Sequence, residues 1–324
     1  MIVDVHAHYH PRAYTEALSR LPGGLRGGFR TGQYDTDDAG QIERRLEMMQ
    51  AAGVGLQVLS PAAGRAPYTE DEAGAVEAAR IVNDANADLV SRYPDRFKGL
   101  VSLPLPHVDA ALRELARGYD ELGMLGVNIH CSVLNRSLAA PELLPVFDEL
   151  ERRHAIVFFH PTGNGICSPL ITEYGLGSSM GTSLEDATVA LHLVGAKIPA
   201  RCPNVTWIVP HLGGPVMMLL ERFDHQFSME QHNLPEPPST TLRRFYYDTV
   251  GHSSHAALLC ACKAVGADHI LPGSDFPVLL AWETYADTFS WIRDVDLPAE
   301  DIDQILERTA PAVLRLGEPQ PGAG

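Results

Sequence analysis

Eight short apolar runs, each followed by a stretch of helical spacing, set the limits on what this chain can fold into. The runs cover residues 2–6, 55–60, 97–103, 125–129, 156–160, 205–210, 245–248 and 270–274. Runs this short and apolar read as strands buried on both faces, the pattern of a parallel sheet covered by helices. Amphipathic stretches lie between them, at 39–52, 72–93, 109–122, 140–153, 184–198, 215–227, 254–265 and 282–295, and two more near 300–307 and 309–316 close the chain. Strand–helix alternation over 324 residues fits a closed barrel or an open doubly wound sheet. No Gly-x-Gly-x-x-Gly follows the first run, and Gly23-Gly24 and Gly27-Gly28 precede no helix, so the open sheet is the second choice. The expectation is an α/β fold, a (β/α)8 TIM barrel, as one domain over residues 1–316. Residues 11–38 are expected as a small irregular insert or lid after the first strand, and 317–324 as a disordered tail.

Lysine and arginine number 25 against 41 aspartates and glutamates, a formal charge of −16. So acidic a field argues against a nucleic-acid or anionic-membrane partner. Five scattered cysteines with no Cys-x-x-Cys pair give neither a zinc ribbon nor a disulfide framework. The first residues enter a strand without a basic region followed by a long apolar one, and no apolar run reaches membrane-spanning length. A cytoplasmic protein is expected.

Barrel enzymes build their sites at the carboxyl ends of the strands. Here the first strand ends in His6-Ala7-His8, the fifth in His160-Pro161, the sixth in His211 and the eighth in Asp275. Alternate residues of a strand share a face, so His6 and His8 project together and suit one divalent metal. Singly, His160 or His211 reads more readily as a satisfied core residue and the aspartate as a cap. Together, on one rim of one barrel, they point to a metal site.

Further motifs accompany these strand ends: Tyr93-Pro94-Asp95-Arg96-Phe97-Lys98-Gly99-Leu100, Leu144-Pro145-Val146-Phe147, His211-Leu212-Gly213-Gly214 with Arg222-Phe223, Phe245-Tyr246-Tyr247-Asp248, and Gly273-Ser274-Asp275-Phe276-Pro277. With them the chain resembles the amidohydrolase superfamily, in the branch of 2-amino-3-carboxymuconate-6-semialdehyde decarboxylase and related aromatic acid decarboxylases. The resemblance implies His6, His8, His160 and Asp275 as ligands of one divalent metal, zinc or in some members manganese. It implies His211 as the catalytic histidine, with Asp275 sharing in proton transfer. Arg222 matches an arginine that binds a substrate carboxylate across a homodimer interface. A bridging carboxylated lysine is not expected, because strand four carries none and only Lys98, Lys197 and Lys263 occur.

The function this implies is a metal-dependent non-oxidative decarboxylase, a lyase acting on a small aromatic or unsaturated carboxylic acid. A hydrolase or hydratase on the same mononuclear site is the alternative, and a binding protein that keeps the barrel without the chemistry is a third reading. The segment after His160 lacks the tryptophan of the named decarboxylase, and its second carboxylate-binding arginine falls where this chain has Asp35, with Arg30 as a substitute from the insert. A salicylate-type acid fits that segment as well. His252, after strand seven, is expected as a further substrate contact or, equally, a surface histidine, and His130 after strand four has the same status. Asn128 and Ser274 are expected to pack or support. Phe29, Tyr34, Phe276 and Trp282 are candidates for an apolar slot.

Overall fold

A computed structural model gives the fold; the structure describes residues 1–22, 34–230 and 233–317. The eight barrel strands are β1 (Ile2–His8), β2 (Val54–Ser60), β3 (Phe97–Ser102), β4 (Gly126–His130), β5 (Ile156–His160), β6 (Thr206–Val209), β7 (Tyr246–Asp248) and β8 (Ile270–Leu271). Each pairs in parallel with the next, β1 through β8. The ring closes where the Val5 N–H donates to Pro272 O (2.9 Å) and the His8 N–H to Phe276 O (2.7 Å). Closure leaves the barrel sheet without an open edge.

The longer helices are α1 (Arg12–Arg20), α2 (Ala39–Ala51), α3 (Glu72–Arg92), α4 (Val108–Asp120), α5 (Leu144–Arg152), α6 (Thr182–Gly195), α7 (Val216–Met229) and α8 (His255–Val265). Their apolar faces and the outward strand residues form one large core. Inside the barrel, Val3, Leu56, Leu100, Leu125, Phe158 and Leu271 belong to a second cluster, which Ala310 and Leu314 of the closing segment join. Among the described residues, side chains therefore fill the barrel below its rim, which leaves the rim to build a site.

Three expectations need correction. Residues 11–38 are not wholly irregular. Tyr14, Ala17 and Leu18, spaced for one helix face, are buried on α1 and pack with Ala78 and Val82 of α3. Residues 23–33, with Phe29 and Arg30, lie outside the described residues, as does the tail from 318. The helix expected over 282–295 is only Asp287–Ser290, extended by a 3-10 turn at Trp291–Asp294. Thr284 and Asp287 cap each other there, with Thr284 N–H to Asp287 Oδ2 at 3.1 Å and Asp287 N–H to Thr284 Oγ1 at 3.2 Å, and this starts the helix late. Finally, β8 ends at Leu271 because Pro272 has no N–H to continue the ladder.

Candidate active site

The site begins with an irregularity in β1. Asp4 pairs with Gln57 and Ala7 with Leu59, so Val5 and His6 together face one residue of β2. This bulge turns both inward, and His6 meets Phe158 edge-on with ring centroids 5.0 Å apart. His8 then follows at the rim. Beneath them the Asp4 carboxylate turns outward, where it accepts from Ser274 Oγ (2.6 Å), Tyr285 Oη (2.8 Å) and Gln57 Nε2 (3.1 Å). Buried Arg45 braces the same layer, donating to Gln57 Oε1 (2.7 Å) and to His8 O (2.8 Å). The first strand is thus tied to the second and to the segment after β8 directly under the histidines.

His6, His8, His160 and Asp275 are all buried, and their candidate ligand atoms lie within 4.8 Å of one another. In each imidazole the Nδ1 already has an acceptor. For His6 it is Asp248 Oδ2 at 2.7 Å, for His8 Ser60 O at 3.1 Å and for His160 Pro161 O at 3.1 Å. These contacts fix the Nδ1–H tautomer and leave each Nε2 lone pair aimed at the common centre. His6 Nε2 and His160 Nε2 are buried without a hydrogen-bond partner. Asp275 Oδ1 lies 2.8 Å from His8 Nε2 and 3.4 Å from His6 Nε2. Three imidazoles, two with orphaned nitrogens, and one carboxylate are a donor set that fits a single divalent metal.

The electrostatics agree. Burial alone pushes His6 down, but Asp248 and Asp275 outweigh it and raise its pKa to about 10. Two buried carboxylates thus demand positive charge at this spot. Burial, followed by the charges of His8 and His6, holds His160 well below its ordinary value. Burial raises Asp275, but His6 and His8 more than reverse this and keep it ionised.

His211 stands beside the group, its ring 5.4 Å from that of His6. Its N–H donates to Asp248 Oδ1 (2.8 Å) and its Nδ1 meets Asp186 Oδ2 (2.8 Å). Asp248 therefore holds a metal-ligand ring with one oxygen and the His211 backbone with the other. His211, His252 and Asp275 all have left-handed backbones, with φ of 53°, 49° and 52°. Such strain gathers where side chains must point into a site.

A cavity of about 430 Å³ opens over these groups. His160, His211 and Asp275 form its floor, while Met218, Val278 and Trp282 supply apolar wall and Ser178, Ser179, Thr182 and Ser183 a row of hydroxyls. The volume suits one small ring-bearing ligand.

A family model described as amidohydrolase matches residues 3–316. The chain belongs to the amidohydrolase family. Among curated relatives of this amidohydrolase, the 2-amino-3-carboxymuconate-6-semialdehyde decarboxylase of Dictyostelium discoideum is 28% identical, over 72% of this chain and 66% of that one, just under two thirds. The gamma-resorcylate decarboxylase of Rhizobium radiobacter is 28% identical over 85% of this chain and 87% of its own length. A solved dihydroxybenzoic acid decarboxylase from Polaromonas, with bound manganese and the inhibitor 2-nitroresorcinol, superposes with a TM-score of 0.80 at 23% identity, covering 98% of both chains.

The four expected metal ligands converge, and His211 joins them. His252 lines the cavity at its mouth, its ring edge-on to Trp282 at 5.5 Å. Arg222 is exposed on α7 and does not itself line the cavity. His130 is buried behind His160, its ring 5.4 Å away, and does not line the cavity. Asn128 packs, donating to Phe158 O (3.3 Å), and Ser274 supports Asp4. Of the aromatic candidates, Trp282 lines the cavity, whereas Phe276 is buried under Arg45. Sequence reasoning missed Asp186, Asp248 and Glu185 as site residues. Asp248 had a signal, an acid ending a strand at the same rim. Asp186 and Glu185 had a fainter one, two acids inside an otherwise apolar helix face.

Proposed function

We propose that this amidohydrolase is a metal-dependent non-oxidative decarboxylase of a small aromatic or unsaturated carboxylic acid, with His211 as proton carrier. One observation carries the reading. A histidine with Nδ1 committed to a buried carboxylate sits in the cavity floor beside a donor set fitted to one divalent metal. When bound, such a metal supplies Lewis-acid polarisation and orients an acidic substrate. Protonated on both nitrogens, His211 delivers its Nε2 proton to the carbon that bears the carboxylate. The carbon–carbon bond breaks with its electron pair left on the substrate, CO2 leaves, and the remaining Nδ1–H imidazole takes a new proton from solvent. Asp275, ionised beside His6 and His8, supports that proton transfer as well as the ligand set. The apolar wall holds the ring and keeps water from the reacting carbon.

Zinc or manganese both suit the donors, and the manganese in the Polaromonas enzyme favours manganese as the first ion to test. His252 contacts the far end of the substrate at the mouth. A homodimer would supply Arg222 to the neighbouring copy's site. In support, Met218 at the cavity wall is 76% exposed and lies one helical turn before Arg222 on the same face of α7. A cytoplasmic location agrees with five free cysteines. Among the described residues no helix is long and apolar enough to cross a membrane.

The test is the metal-loaded protein with a panel of acids that includes 2,6-dihydroxybenzoate, 6-methylsalicylate and an open-chain dienoic acid. Release of CO2 from at least one is expected. Conversion by addition or consumption of water, with no CO2, would replace this reading with a hydratase or hydrolase.

A further inference from the structure

The adjacent acids on α6 hold two different parts of the site. Glu185 accepts the N–H groups of Thr162 (2.5 Å), Gly163 (3.1 Å) and Gly165 (2.9 Å), and so anchors the loop that leaves His160. Asp186, next in sequence and fully buried, turns its Oδ2 to His211 Nδ1 at 2.8 Å. Its Oδ1 takes the thiol of Cys131 at 3.6 Å. We infer that Asp186 is the positioning residue that fixes His211 as the Nδ1–H tautomer, so that the two act as a proton-carrying dyad.

Three observations lead there. First, burying a carboxylate against an imidazole and a thiol is costly, and an apolar residue would fill that place at less expense. Second, the His211 backbone is in the left-handed region and its N–H belongs to Asp248, so the ring orientation depends on what meets Nδ1. Third, the His211 side chain is 16% exposed and lines the cavity, so with Nδ1 engaged its Nε2 is the nitrogen that exchanges protons with a ligand. An imidazole free to carry its proton on Nε2 instead would present no lone pair and could not be recharged for the next cycle.

This inference rests on the reading of His211 as the proton carrier, and the experiment separates the two. Three proteins are prepared metal-loaded, namely wild type, Asp186→Asn and His211→Asn. Their activity is measured on the best acid of the panel, and nitrogen-15 histidine spectra are recorded on the zinc form. The His211 signals are assigned by their disappearance in His211→Asn. The wild-type ring is expected to carry a proton on Nδ1. Asp186→Asn is expected to keep the wild-type metal content, to hold KM within about threefold and to lose about 10²–10³-fold in kcat. Either a bare Nδ1 in the wild type or a kcat within about threefold of wild type in Asp186→Asn overturns the dyad. If Asp186→Asn fails to fold, the wild-type spectrum alone decides. A His211→Asn protein with full kcat would instead overturn the proton-carrier reading, whatever the tautomer.

Discussion

At the scale of residues, the chemistry of this site is decided by which nitrogen of each imidazole is already occupied. Carbonyls of Ser60 and Pro161 and the carboxylate of Asp248 claim the Nδ1 atoms, so the rings can ligate only through Nε2. Removing a ligand and removing its support should therefore have different magnitudes. His160→Ala and Asp275→Ala each take one of four donors, and metal analysis after dialysis should find both essentially empty. Asp248→Asn keeps all four donors but loosens the His6 ring, and should weaken metal affinity by about 10–100-fold. Full occupancy in both ligand variants would remove the assignment. The ligands were legible because a histidine or aspartate directly after an apolar run is a position as well as a residue type. Asp186 was hard to read, because its partner lies 25 residues away beyond β6 and an acid inside a helix usually faces solvent.

Elements add constraints that residue types do not reveal. The order of strands and helices was readable from periodicity alone, since parallel barrel strands are uniformly apolar and the helices between them are not. The bulge in β1 was not readable, since it arises from pairing register with β2 and from the Asp4 network that ties β1 to the segment after β8. Nor was the tight approach between α6 and the loop after β6. Gly214 sits there at φ +56°, and a Cβ on it would come within 2.2 Å of Ser183 O. Both the backbone conformation and the space therefore require glycine. Gly214→Ala must push α6, with Asp186 on it, away from His211. A loss of about 2 kcal/mol or more in urea unfolding is expected, with a fall in kcat. Gly177→Ala, with nothing within 4 Å of its Cβ, serves as the control and should unfold like wild type. Equal stability of the two variants would show that α6 yields easily and carries no such constraint.

For the whole molecule, two buried histidines near the rim, His10 and His130, make stability depend on pH with a definite sign. Burial, partly offset by Asp35, lowers His10 to about 4, and burial with the charge of His8 lowers His130 to about 3. Both shifts lie below the unfolded value of about 6.5. Above pH 6.5 neither group is protonated in either state, and neither contributes a slope. Between pH 6.5 and about 4 the unfolded chain binds protons that the folded one refuses, so stability falls as pH falls, by about 1.4 kcal/mol per pH unit for each histidine. Protons compete with the cation for the metal-ligand imidazoles, so loss of the metal as the pH falls acts in the same direction. His130→Phe separates the contributions, since it keeps an aromatic ring against Tyr68 and His160 but cannot titrate. Urea unfolding of the metal-loaded wild type at pH 7.5, 6.5, 5.5 and 4.5 should show stability level at first and then falling, with a shallower fall in His130→Phe. Stability that stayed flat or rose below pH 6.5 would mean that these histidines are not held neutral in the fold. The rim would then lack the dry, low-dielectric character on which both the metal centre and the proton chemistry of His211 depend.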